Sequence, residues 1–154
     1  MEEVKKQGME SLFVPYEIAL KLKALGFDER VLTYYENGVP KLYHDVTGWD
    51  FNTSFTTCVS RPTFSQAFRW FREKHSLLHE LISCVENSWL ITIVDLNSKS
   101  VNGVYMKRIN LDDIDENIPT TYEEAELACL DKLIEIVESK QRINRIIKDV
   151  QDGK

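Results

Sequence analysis

A chain of 154 residues, 43% hydrophobic and 29% charged, has the composition of one compact domain able to bury a real core. Its formal net charge of −6 argues against a general nucleic-acid binder, since that role needs a basic face. No apolar run is long enough to cross a bilayer, which argues against a membrane partner. The N-terminal Met-Glu-Glu-Val-Lys-Lys lacks the hydrophobic segment of a secretion signal. Cys58, Cys84 and Cys129 are odd in number, far apart and without a C-x-x-C pair, so reduced thiols in a cytoplasmic protein are expected.

Residues 1 to 12 are charged and aperiodic and read as a flexible N-terminal arm. A first helix starts at Pro15, which suits a first helical position. It carries Ile18, Leu22 and Leu25 on one face and stops at Gly26, with Phe27 as the apolar clasp beyond a left-handed cap. Val31 to Glu36 is a strand, Asn37-Gly38 has the residues of a type I′ turn, and Lys41 to His44 returns as an edge strand because Pro40 cannot donate to a ladder. Asp45 to Thr53 reads as loop, with a short strand through Phe55 to Val59.

Residues 61–74 form the central helix. Thr63 and Gln66 stand at capping-box spacing, and Phe64, Ala67, Phe68 and Phe71 share one face at about 100° per residue. Three extended stretches follow, His79 to Glu86, Trp89 to Asp95 and Val101 to Arg108. The middle one is apolar on both sides and is the expected central strand of a meander. Asn110 to Thr120 is a polar linker. Thr121 and Glu124 form a second capping box, opening a helix whose Leu127, Leu130, Leu133, Ile134 and Val137 make a core stripe. The expected class is α+β, with an antiparallel sheet of about five strands, a hairpin plus a three-strand meander, packed with three helices in the order α-ββ-α-βββ-α. Residues 13–138 are expected to make a single domain, and residues 139–154 a C-terminal helical extension or tail.

Three blocks, Pro15 to Phe27, Pro62 to Lys74 and Tyr122 to Val137, together resemble a family of short, uncharacterised proteins encoded by phages and prophages of Bacteroides-type bacteria. The likeness implies a shared fold and a phage-linked setting, either inside the host cell or associated with the virion. It brings no catalytic or binding residue, and residues 141–154 extend past the expected end of such proteins.

Several constellations carry chemical potential. His75 and His79 are four apart beside Glu80, but the order is not H-E-x-x-H and no third ligand is placed. Asp112, Asp113, Asp115 and Glu116 lack the glycine and spacing of a calcium loop. No metal and no cofactor is therefore expected. Arg61, Arg69, Trp70, Arg72 and Lys74 are the candidate phosphate or base contacts, against the local account that Arg69 pairs with Glu73 and Trp70 edges the core. No G-x-S-x-G elbow, phosphate loop or dinucleotide fingerprint occurs, so catalysis is disfavoured.

The strongest functional signal is a second apolar stripe on the last helix. Cys129, Ile136, Ile143 and Val150 recur every seven residues, with Ile147 beside them and Lys140, Arg142, Arg145 and Lys148 as a soluble rim. The expectation is a non-enzymatic interaction protein, a phage accessory or minor virion-associated protein, that contacts itself or a protein partner through this helix. The alternatives are a nucleic-acid-associated protein using the Arg69, Trp70 and Arg72 flank, and a small hydrolase with an unrecognised site.

Overall fold

The computed structural model describes residues 8–84, 88–97, 99–100, 103–104, 107–110 and 119–153, with side chains described outside 99–110. The elements in order are α1 (residues 8–10), α2 (Tyr16–Leu25), β1 (Thr33–Glu36), β2 (Val39–Leu42), α3 (Phe51–Ser54), β3 (Cys58–Ser60), α4 (Phe64–His75), β4 (Leu77–Ser83), β5 (Trp89–Asp95), β6 (Lys99–Ser100), β7 (Gly103–Val104), β8 (Lys107–Asn110) and α5 (Tyr122–Gln151).

The α+β class stands, but the three-helix, single-sheet architecture is corrected. Five helical segments occur among the described residues, because α1 and α3 add to the three expected. The α3 turn lies where a loop was expected; the Asp50 carboxylate accepts from the Asn52 and Thr53 amides and so caps a single turn. The strands divide into a sheet β2-β1-β3, a sheet β4-β5-β8 and a separate β6-β7 pair. Hairpin and meander do not merge, because β1 takes β3 on its second edge, with Tyr35 opposite Val59 on one side and Pro40 on the other. Of the expected strand Val101 to Arg108, residues 101–102 and 105–106 lie outside the described residues. Gly103–Val104 pairs with Lys99–Ser100, while Lys107–Asn110 is the strand that joins β5.

The helix ends follow local chemistry. In α2, Pro15 occupies the N-cap position, and Gly26 at φ 91° ends the helix with its own amide on Lys23 and the Phe27 amide on the Leu22 carbonyl. Both capping boxes form with reciprocal bonds, Thr63 with Gln66 at α4 and Thr121 with Glu124 at α5. The core gathers Ile18 and Leu22 of α2, Phe64, Ala67, Phe68 and Phe71 of α4, Ile91 and Ile93 of β5, and Leu130, Leu133, Ile134 and Val137 of α5. Losing one of these phenylalanine side chains costs about 3–5 kcal/mol, a large share of the ~5–15 kcal/mol that holds a domain together.

Helix α5 touches α2, α4, β4 and β5, so its first half seals the core. Its second half continues without a break to Gln151 and carries exposed apolar residues. Residues 141–151 amount to about 16 Å of helix at about 1.5 Å per residue. At the other end, residues 8–12 of the expected arm are tied down: the Phe64 amide donates to the Leu12 carbonyl, and Glu10 pairs with Arg61.

Candidate functional site

The flank of α4 is organised by the turn that follows α2. Asp28 and Glu29, just past the Gly26 cap, present carboxylates to the next helix. Arg69 pairs with Glu29, Lys74 Nζ lies 3.0 Å from Asp28 Oδ2, and Trp70 Nε1 donates to Asp28 Oδ1 at 3.2 Å. The Lys74 hydrogen bond, helped by the one from Trp70, holds the Asp28 carboxyl below its ordinary range despite partial desolvation. Arg69 thus takes Glu29 of the loop after α2 in place of the expected Glu73, which lies 3.8 Å from its helix neighbour Arg72. Trp70 is only 2% exposed and lies 5.5 Å from the Phe27 ring, centroid to centroid, so its indole face belongs to the core.

Arg61 is 6% exposed. Its guanidinium lies over the rings of Phe13 at 4.6 Å and Tyr35 at 5.2 Å, donates from Nε to Tyr35 Oη at 3.1 Å, and pairs with Glu10. The four basic residues of this candidate contact, Arg61, Arg69, Arg72 and Lys74, thus each face a carboxylate. The structure closes the flank as a set of ion pairs around a buried tryptophan.

The two histidines lie in different elements. His79, on β4, stacks on Phe68 with centroids 3.8 Å apart; His75, at the end of α4, packs edge-on to Trp70. Burial lowers both imidazole pKa values below the ordinary one, aided at His75 by Lys140 and Lys74 and at His79 by Arg72. No group of three metal-ligating side chains forms among the described residues. Asp112, Asp113, Asp115 and Glu116 lie outside the described residues. Of the cysteines, Cys84 is exposed while Cys58 and Cys129 are buried, and burial pushes the Cys129 thiol up to about 12.

The apolar stripe of α5 divides in two. Cys129 is fully buried in its own core and Ile136 is partly buried against it, so these interface candidates serve the domain. Beyond Lys140, whose Nζ donates to Asp95 Oδ2 at 2.7 Å, Gln141, Arg142 and Arg145 still border a hollow with Ala24 and Leu25 of α2, while the apolar face of the helix is open. There Ile143 is 55% exposed, Ile147 49% and Val150 72%, joined by Ile146 at 57%. A strict seven-residue repeat skips Ile146, but its i+3 relation to Ile143 puts it on the same face. The four side chains fall within an arc of about 100°, a contiguous patch rather than scattered residues.

A hollow of about 240 Å³ adjoins this stripe, lined by Leu77, Asp95, Lys132, Glu135, Ile136, Ser139 and Lys140. A second, about 440 Å³, lies beside Arg61 among Phe13, Tyr16, Tyr35, Phe64 and Leu127, with Glu10 and Glu123 at its edge. No helix among the described residues is long and apolar enough to cross a membrane. Comparisons with known protein families, with curated proteins and with solved structures find no match to this chain.

Proposed function

We propose that this chain is a non-enzymatic interaction protein that docks onto another protein surface through the projecting end of α5, in the phage-linked setting its sequence resemblance implies. One observation carries the reading. Ile143, Ile146, Ile147 and Val150 form one apolar face, about half or more exposed, on a helix that has left its own core. Keeping such a face in water forfeits the burial free energy of about 1.5–3 kcal/mol per side chain, which an interface recovers. The α4 flank supports a nucleic-acid role less well, because its cations are matched by carboxylates and Trp70 is enclosed.

The test is the native mass of the protein in extracts of cells that produce it, for the wild type and for the Ile143→Asp, Ile147→Asp double variant. The reading expects the wild type in an assembly well above the 18.0 kDa chain mass and the variant at chain mass, with the far-UV circular dichroism of the isolated chain unchanged. A wild type found only at chain mass overturns it, as does a variant that assembles normally.

A further inference from the structure

Resting on that reading, we infer that the surface which covers the end of α5 is the same surface of a second copy, with the two helices antiparallel about a two-fold axis. Charge, shape and area point to this occupant.

On the helical wheel, Arg142 and Asp149 lie on one side of the apolar face, seven residues apart, and Lys140 and Gln151 lie on the other. Neither Arg142 nor Asp149 takes part in an ion pair among the described residues, whereas Lys140 is held by Asp95. In a two-fold antiparallel pair, like flank faces like flank. Pairing Ile143 with Ile146 of the second copy then sets Arg142 opposite Asp149 of that copy, and symmetry repeats the contact. A parallel pair brings opposite flanks together and sets Arg142 against Ile147.

The same register places Val150 of the second copy over Ser139, whose small side chain leaves room, at the mouth of the hollow that Ser139 shares with Leu77 and Ile136. Each helix end thus finds a recess on the body of the other copy. Because the projecting helices overlap from opposite directions, the two bodies sit at opposite ends of the pair.

Area is consistent with a specific but modest dimer. With a free isoleucine or valine residue taken as roughly 150–200 Å², the measured exposures leave on the order of 400 Å² on the four residues. That is close to the apolar part of a standard interface of about 800 Å² per partner.

The experiment is multi-angle light scattering of the purified full chain across a concentration series to about 200 µM, a range suited to a weak dimer. The wild type is expected to move from 18.0 kDa toward twice that mass as concentration rises. Arg142→Glu and Asp149→Arg, both changes at exposed helix positions, are each expected to raise the dissociation constant about tenfold or more; the double reversal is expected to restore it to within about threefold. Circular dichroism checks that each variant stays folded. A wild type that remains at 18.0 kDa throughout overturns the second-copy proposal. The reading of α5 as a docking helix then survives if the cell-extract assembly persists and falls with it if that too is absent. A dimer in which the double reversal fails to recover overturns the antiparallel register.

Discussion

Removing the Asp28 carboxylate tests whether Trp70 is a core residue with one polar obligation. Trp70 is 2% exposed, and its indole nitrogen donates to Asp28 Oδ1 at 3.2 Å. In Asp28→Ala that buried N–H loses its acceptor, which costs about 1–3 kcal/mol. The second bond of Asp28, to Lys74, joins two side chains that are about half exposed and adds at most about 1 kcal/mol after solvent screening. The decisive comparison is a double-mutant cycle with Trp70→Phe, which removes the orphaned donor. In that background Asp28→Ala should cost no more than the Lys74 share, giving a coupling of about 1–3 kcal/mol. Urea unfolding followed by far-UV circular dichroism measures it without interference from the other tryptophans, Trp49 and Trp89. Equal costs of Asp28→Ala in both backgrounds refute the reasoning.

A disulfide-exchange reagent should titrate one thiol per folded chain and three after denaturation, and Cys84→Ser should abolish the folded-state reaction, because Cys58 and Cys129 are buried. His75 and His79 are held below their ordinary pKa of 6.5, so the unfolded chain takes up protons first as pH falls. Their contribution to stability is complete above pH 6.5 and is lost on acidification. Melting temperature should therefore drop between pH 7.5 and 5.5, and less so in His79→Phe, which keeps the ring against Phe68; the raised Glu126 carboxyl acts in the opposite sense closer to its own ordinary value. Gly48 sits at φ 66° with the Val31 carbonyl oxygen 3.0 Å from where a Cβ would stand. Gly48→Ala should thus cost about 1–3 kcal/mol in urea unfolding, by strain and by disturbing the paired bonds between Val31 and Trp49.

Local chemistry was readable where it decides the outcome. Thr63 with Gln66, Thr121 with Glu124, and Gly26 with Phe27 mark helix ends because partner and donor lie within a few residues. The strand pairing was less so. Whether β1 accepts β3 or a meander strand depends on how the chain returns, and no spacing in the sequence encodes that. The ion pairs show the same limit. Arg69 had a plausible partner four residues away in Glu73 but took Glu29, forty residues upstream, because the cap of α2 holds that loop against α4. In α5 the seven-residue repeat found the exposed stripe yet also swept in Cys129, since periodicity gives the face of a helix and not where the body beneath it ends.

The order of synthesis adds a consequence of the way α5 seals the core. Leu130, Leu133, Ile134 and Val137 complete an interior that also gathers residues of α2, α4 and β5 with Tyr35, Phe51, Val59 and Leu77, so a nascent chain without them leaves it open. Until the ribosome has moved past Val137, the phenylalanines of α4 have only part of their final packing, and a chaperone has apolar surface to hold. A premature stop before α5 is therefore expected to leave an aggregating fragment rather than a smaller folded protein.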